Sequence, residues 1–111
     1  MAQYLLLLYQ DPKWMQNLSP EEMQKAVEKY TAWMKKSFTK GGQRLSGPGK
    51  VMRPGEGKPR VVDGPYSETK EALGGYYLIE AASEEEAVTL TMDHPHLEYG
   101  GTIEVRHVFG T

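Results

Sequence analysis

No cysteine occurs among the 111 residues of this chain. That excludes a disulfide framework and any thiolate-held metal, and it fits a reducing compartment. There is no excess of positive charge either. Thirteen Lys and Arg stand against fifteen Asp and Glu, a formal net charge of −2, whereas a nucleic-acid binder normally shows a basic patch. Long apolar runs are also missing. The stretch Tyr4 to Tyr9 is too short for a membrane span or the core of a signal peptide, and it lacks a basic flank and a cleavage site. The expectation is a cytoplasmic chain with no leader and no membrane partner. No phosphate-binding loop, dinucleotide fingerprint or nucleophile elbow occurs, and neither repeats nor low-complexity tracts interrupt the sequence.

The length suits one domain spanning residues 1–111, large enough for one ordinary core without staples. Gln3 to Tyr9 reads as a strand with apolar residues on both faces, the pattern of a central strand covered on both sides. Ser19-Pro20-Glu21-Glu22 is a helix start: Ser19 caps, Pro20 takes the first helical position and Glu22 completes a capping box. Met23, Ala26, Val27, Tyr30, Trp33, Met34 and Phe38 follow at helical spacing. Gly41-Gly42 is expected to end this helix. Gln43 to Met52 reads as a strand weakened by Gly47-Pro48-Gly49, Pro54 to Gly57 as a hairpin loop, and Arg60 to Asp63 as a short strand. Ser67 to Leu73 suits a short helix or turn. Gly75 to Ala81 is a further strand, and Ser83 to Glu86 a second capping box opening a helix through about Asp93. His94-Pro95-His96 is expected to end that helix, and Thr102 to Val108 is the last strand.

This order, β-α-β-β-α-β, predicts an α+β, ferredoxin-like fold: an antiparallel sheet with two helices on one face. Helices on one face leave the other bare, yet the first strand is apolar on both. An uncovered apolar sheet face predicts a second subunit, hence a homodimer closing a barrel-like space.

Asp63-Gly64-Pro65-Tyr66 forms a stiff corner, because Gly64 is conformationally permissive and Pro65 fixes its own φ. With Tyr4 to Tyr9, Ser19 to Glu22, Ser46-Gly47-Pro48, Glu68 to Glu71, Gly74 to Tyr77, His94-Pro95-His96, Gly100 and Ile103 to Arg106, this corner gives the chain its family likeness. The sequence resembles the YCII-related group, in the branch known for its DGPF domain, with Tyr66 where the branch name has Phe. The resemblance implies a dimeric α/β barrel, cytoplasmic, with a candidate active site and no assigned reaction. Some relatives are proposed to use a His-Asp pair whose histidine lies in the first helix ahead of an Ala-Trp pair. Here Tyr30 stands there, ahead of Thr31-Ala32-Trp33. Domains of this kind also occur beside sigma factors, which implies a regulatory alternative.

Several residues could carry chemistry. Asp63 suits a general base or orienting acceptor, or else a turn carboxylate that accepts backbone N–H bonds. His94 and His96 could supply an acid, since imidazole titrates near neutrality. Their structural alternative is a helix terminator at His94 and a partly exposed His96. Tyr30, Tyr66 and Tyr76 suit pocket donors, or simple packing. Two histidines across a proline do not share a helix face, and a metal site would need at least three converging ligands, so no metal is expected. Ser67-Glu68-Thr69-Lys70 has the Ser-x-x-Lys spacing of β-lactamase-like enzymes without the rest of that machinery. Two functions follow. One is cofactor-free proton transfer on an aromatic or lactone-like small molecule, with Asp63, His94 and His96 catalytic and Tyr30, Tyr66 and Tyr76 binding. The other is a non-catalytic ligand-binding or regulatory module linked to transcription.

Overall fold

The computed structural model describes residues 1–66 and 71–111. In chain order the elements are β1 (Ala2–Gln10), α1 (Pro20–Met34), β2 (Thr39–Arg44), β3 (Lys50–Arg53), β4 (Arg60–Asp63), β5 (Ala72–Ala81), α2 (Glu84–Thr91), α3 (Pro95–Glu98) and β6 (Thr102–His107). The main sheet has the order β2-β5-β1-β6, and each neighbouring pair is antiparallel. Setting aside the β3–β4 pair, this is the ferredoxin-like order, with the two crossover strands at the edges and the first and third at the centre. The fold class expected from the sequence is the fold observed.

Alternation places the core. On β1, Tyr4, Leu6 and Leu8 are buried while Leu5 and Leu7 between them are half-buried. On β5, Tyr77, Ile79 and Ala81 are buried. These residues meet Trp33 of α1 and Ala87 of α2 in one cluster, with Met34, Phe38, Ile103 and Val105 packed around it. Side chains at successive strand positions point to opposite faces, so Leu5, Leu7, Tyr76 and Leu78 lie on the face without helices. The register makes them neighbours: Leu5 opposes Leu78 and Leu7 opposes Tyr76.

The start of α1 forms as expected. Ser19 Oγ accepts from the Glu22 amide at 3.1 Å, and Glu22 returns the bond by accepting from the Ser19 amide at 3.1 Å. At α2 the Ser83 hydroxyl accepts from the Glu86 amide, but the Glu86 carboxylate accepts from the Ala82 amide instead of closing the box.

Three expectations are corrected. The first helix ends at Met34, and Gly41-Gly42 lies inside β2, where the register slips between Thr39 and Gly41. Glycine is needed at position 42 for close approach, since a Cβ there would meet the Tyr76 carbonyl oxygen at 2.6 Å and Met34 Cε at 2.9 Å. The strand read over Gln43 to Met52 is two strands, β2 and β3, in different sheets. His94-Pro95-His96 opens a third helix, α3, with His94 as its cap. The reading of Ser67 to Leu73 as a helix or turn falls largely outside the described residues, and Ala72 and Leu73 are already strand.

Among the described residues the β3–β4 hairpin pairs only with itself. It gives the chain an extended outline: the radius of gyration is 16.0 Å, against about 13 Å for a compact chain of this length. The shortest principal extent is 19 Å, the thickness of one sheet with one layer of helices.

Candidate functional site

The chemistry-bearing residues that the fold brings together lie beneath α1, at the end of the sheet where β1 finishes. Tyr30 sits near the C-terminal end of α1, and its hydroxyl is 2.8 Å from His96 Nδ1. The other ring nitrogen, Nε2, is 2.8 Å from the Tyr9 carbonyl oxygen. A carbonyl can only accept, so Nε2 carries a proton; burial disfavours the charged ring, which leaves Nδ1 as the acceptor and Tyr30 as the donor. This fixes a neutral imidazole with both nitrogens satisfied. Trp14 closes the ring off edge-on at 4.7 Å between centroids. Gly101 is needed on the remaining side, because a Cβ there would run into the imidazole itself.

His94 is the second buried imidazole. Its Nδ1 accepts from the His96 amide at 3.0 Å, which puts the proton on Nε2. Nε2 has no hydrogen-bond partner among the described residues. The ring is held among Trp33, Tyr77 and Tyr30, at centroid distances of 4.4, 4.7 and 5.6 Å. Beside it, the Asp93 carboxylate accepts from Trp33 Nε1 at 3.0 Å and from Lys36 Nζ at 2.6 Å.

The electrostatics follow from burial. Desolvation pushes the His94 pKa down to about 3, helped by neighbouring His96 and opposed by the charge of Asp93. Burial also lowers His96, against the bond to the Tyr9 carbonyl and the charge of Glu71. The Tyr30 hydroxyl is pushed well above the ordinary phenol range, first by burial, and burial raises Tyr77 to about 12. The hydrogen bond from Lys36 holds Asp93 below the usual carboxylate range. At neutral pH the cluster is therefore two neutral imidazoles and two neutral phenols.

The remaining candidates stand apart. Asp63, at the end of β4, is 83% exposed and ion-paired with Lys50 on β3. Tyr66 is 75% exposed beneath the Arg53 guanidinium, 5.1 Å from its ring centre. Tyr76 lies on the helix-free face. Among the described residues no hydrogen bond, ion pair or ring contact joins Asp63, Tyr66 or Tyr76 to either histidine. His96, read from the sequence as partly exposed, is 1% exposed. The missed signal was Gly100-Gly101, which lets β6 approach the imidazole.

Two open hollows lie elsewhere on the surface. One of about 600 Å³ is lined by Ser83, Glu84, Glu85 and Val88 at the start of α2. The other, about 250 Å³, lies between α1 and α3 over Trp33 and Asp93. Neither includes Asp63, Tyr66 or Tyr76. Among the described residues no three His, Asp or Glu side chains converge on a point that could hold a metal, and no helix is long and apolar enough to cross a membrane.

The fold and this cluster define a class: a ferredoxin-like α+β protein with a histidine pair under the first helix. The YCII-related domain matches residues 2–110, and the chain belongs to that family. It is also 32% identical over 111 aligned residues to the uncharacterized protein R00369 of Rhizobium meliloti (strain 1021), covering 93% of this chain and 89% of that protein.

Proposed function

We propose that this chain is a homodimeric, non-catalytic module that binds a small aromatic or lactone-like molecule between the helix-free sheet faces of two copies. The observation that carries the non-catalytic part is the saturation of His96. Both of its ring nitrogens are spent on internal hydrogen bonds inside a ring that is 1% exposed. A general acid or base must reach its proton acceptor or donor within hydrogen-bond distance, and His96 has no free position to offer. His94 stays neutral far below physiological pH. Asp63 is engaged by Lys50 on the hairpin, and among the described residues no contact joins it to either imidazole.

The binding part is supported by the helix-free face. Leu5, Leu7 and Leu78 form an apolar centre, and the register sets Tyr76, Gln43, Glu104 and Arg106 around it. Ligand sites commonly combine an apolar wall with a few convergent polar groups, and two copies of this face would enclose such a space. No organic cofactor or metal is needed for binding of this kind.

The test is a panel of aromatic acids and lactones followed by ligand-observed NMR in one sample for hours. Binding without change in the compound's own spectrum is the expected result. Conversion of any compound that ceases in His96→Asn would overturn this reading in favour of an enzyme.

A further inference from the structure

The β3–β4 hairpin leaves the sheet as an arm with unusual chemistry. Its register pairs Lys50 with Asp63, Val51 with Val62, Met52 with Val61 and Arg53 with Arg60. Alternation therefore gives each face one apolar pair. Met52, Val61 and Val62 are 66%, 56% and 45% exposed. A two-stranded hairpin by itself is marginal in water, and this one is apolar on both sides.

Beyond the Lys50–Asp63 pair its charges are unbalanced. Like charges directly opposite each other across strands are destabilising, yet Arg53 faces Arg60. Arg53 rests on the Tyr66 ring, and among the described residues neither arginine forms an ion pair. Residues 50–63 hold four cations and two carboxylates, net +2. Because the whole chain is −2, its other residues carry −4. The arm is thus the basic part of an acidic molecule, and on the helix-free face of a second copy it would meet Glu80 and Glu104, each held so far by one cation, Lys40 and Arg106.

We infer that the β3–β4 arm clasps a second copy of this chain. It lies across that copy's helix-free face, with Met52 and Val61 as the apolar contact and its surplus cations against that copy's carboxylates. This rests on the homodimeric reading above and deepens it: Asp63 and Tyr66 travel with the arm, so each ligand site would be completed by both chains. The corner that is solvated in one chain becomes the lid of its neighbour's site.

The absence of cysteine makes a clean test available. Lys58, exposed in the turn of the arm, is replaced by cysteine and carries a nitroxide on unlabelled-nitrogen chains. These are mixed with nitrogen-15 chains of natural sequence, so only contacts between copies broaden the observed amides. The expected result is broadening at Leu5, Leu7 and Glu104, with a dimer mass by light scattering. A dimer whose broadening is absent, or confined to α1 and α2, would overturn the clasp and leave the homodimer standing. A monomer mass would overturn both. Independently, Met52→Glu with Val61→Glu is expected to raise the dimer dissociation constant by about tenfold or more. An unchanged constant would count against the clasp.

Discussion

Tyr30 donates its hydroxyl proton to His96 Nδ1 over 2.8 Å. That bond ties α1 to α3 across 66 residues of sequence, while the Tyr9 carbonyl fixes which nitrogen of the neutral imidazole carries hydrogen. The rest of the cluster depends on it. The Tyr9 carbonyl receives the other nitrogen's proton, and the His96 amide in turn satisfies His94.

Tyr30→Phe removes the donor and leaves Nδ1 buried without a partner. Leaving a buried acceptor unsatisfied costs about 1–3 kcal/mol, and urea unfolding is expected to show a loss in that range. A loss below about 0.5 kcal/mol would mean that water reaches Nδ1.

Acidification is expected to destabilise the fold before most carboxylates titrate. The folded-state pKa of His94 is lowered from 6.5 to about 3, and that of His96 is lowered as well. The unfolded chain therefore binds more protons between about pH 6.5 and about pH 3, so stability rises with pH there and is fully present above about 6.5. The slope should approach about 1.4 kcal/mol per pH unit from His94, with His96 adding in the same direction. His94→Gln should flatten it. A midpoint of urea unfolding that stays constant from pH 7 to pH 5 would contradict this account.

Gly64→Val is expected to loosen the corner after β4. The Gly64 φ is not positive, so strain at a left-handed conformation is not the reason. The reason is space: a Cβ at position 64 would stand 2.7 Å from the Gly49 carbonyl oxygen, which also accepts from the Gly64 amide at 2.7 Å. Hydrogen exchange should quicken at the amides of β3 and β4 and stay unchanged in β1 and β5. Unaltered exchange in the arm would show that the Gly49 strand end yields without cost.

Leu7→Lys places a charge at the centre of the helix-free face without touching the core. A stable interface buries more than about 1,000 Å², and an unpaired charge at its middle costs several kcal/mol. Sedimentation is expected to show monomers with an unchanged circular dichroism spectrum. Unimpaired self-association would place the interface elsewhere.

Much of the fold was legible because it is written in local patterns. The apolar run from Tyr4 to Tyr9, the Ser19 to Glu22 capping box and the stripe from Met23 to Met34 each need only a few neighbouring residues to declare an element. Their order leaves few ways to cover a sheet, and the ferredoxin-like arrangement follows. Where local signals competed, tertiary structure decided. Gly41-Gly42 has the composition of a helix end, but pairing with β5 draws it into a strand, and the need for close approach to Tyr76 explains the glycine. Pro95 has the composition of a stop, yet proline also suits the first turn of a helix, and the chain uses it so.

The site was less legible for a physical reason. Titratable character belongs to a residue, but its protonation, exposure and partners belong to the space around it. The sequence by itself supplied two histidines, an aspartate and a set of tyrosines, together with the elements that carry them. Only the packing of α1 and α3 over the end of β1 decided that His96 would meet Tyr30 and the Tyr9 carbonyl, 66 and 87 residues away. Only the departure of β3 and β4 from the main sheet decided that Asp63 would stand in solvent beside Lys50. Hydrophobic period and capping are short-range and survive in one dimension, whereas convergence of side chains from distant segments exists only once the core has closed.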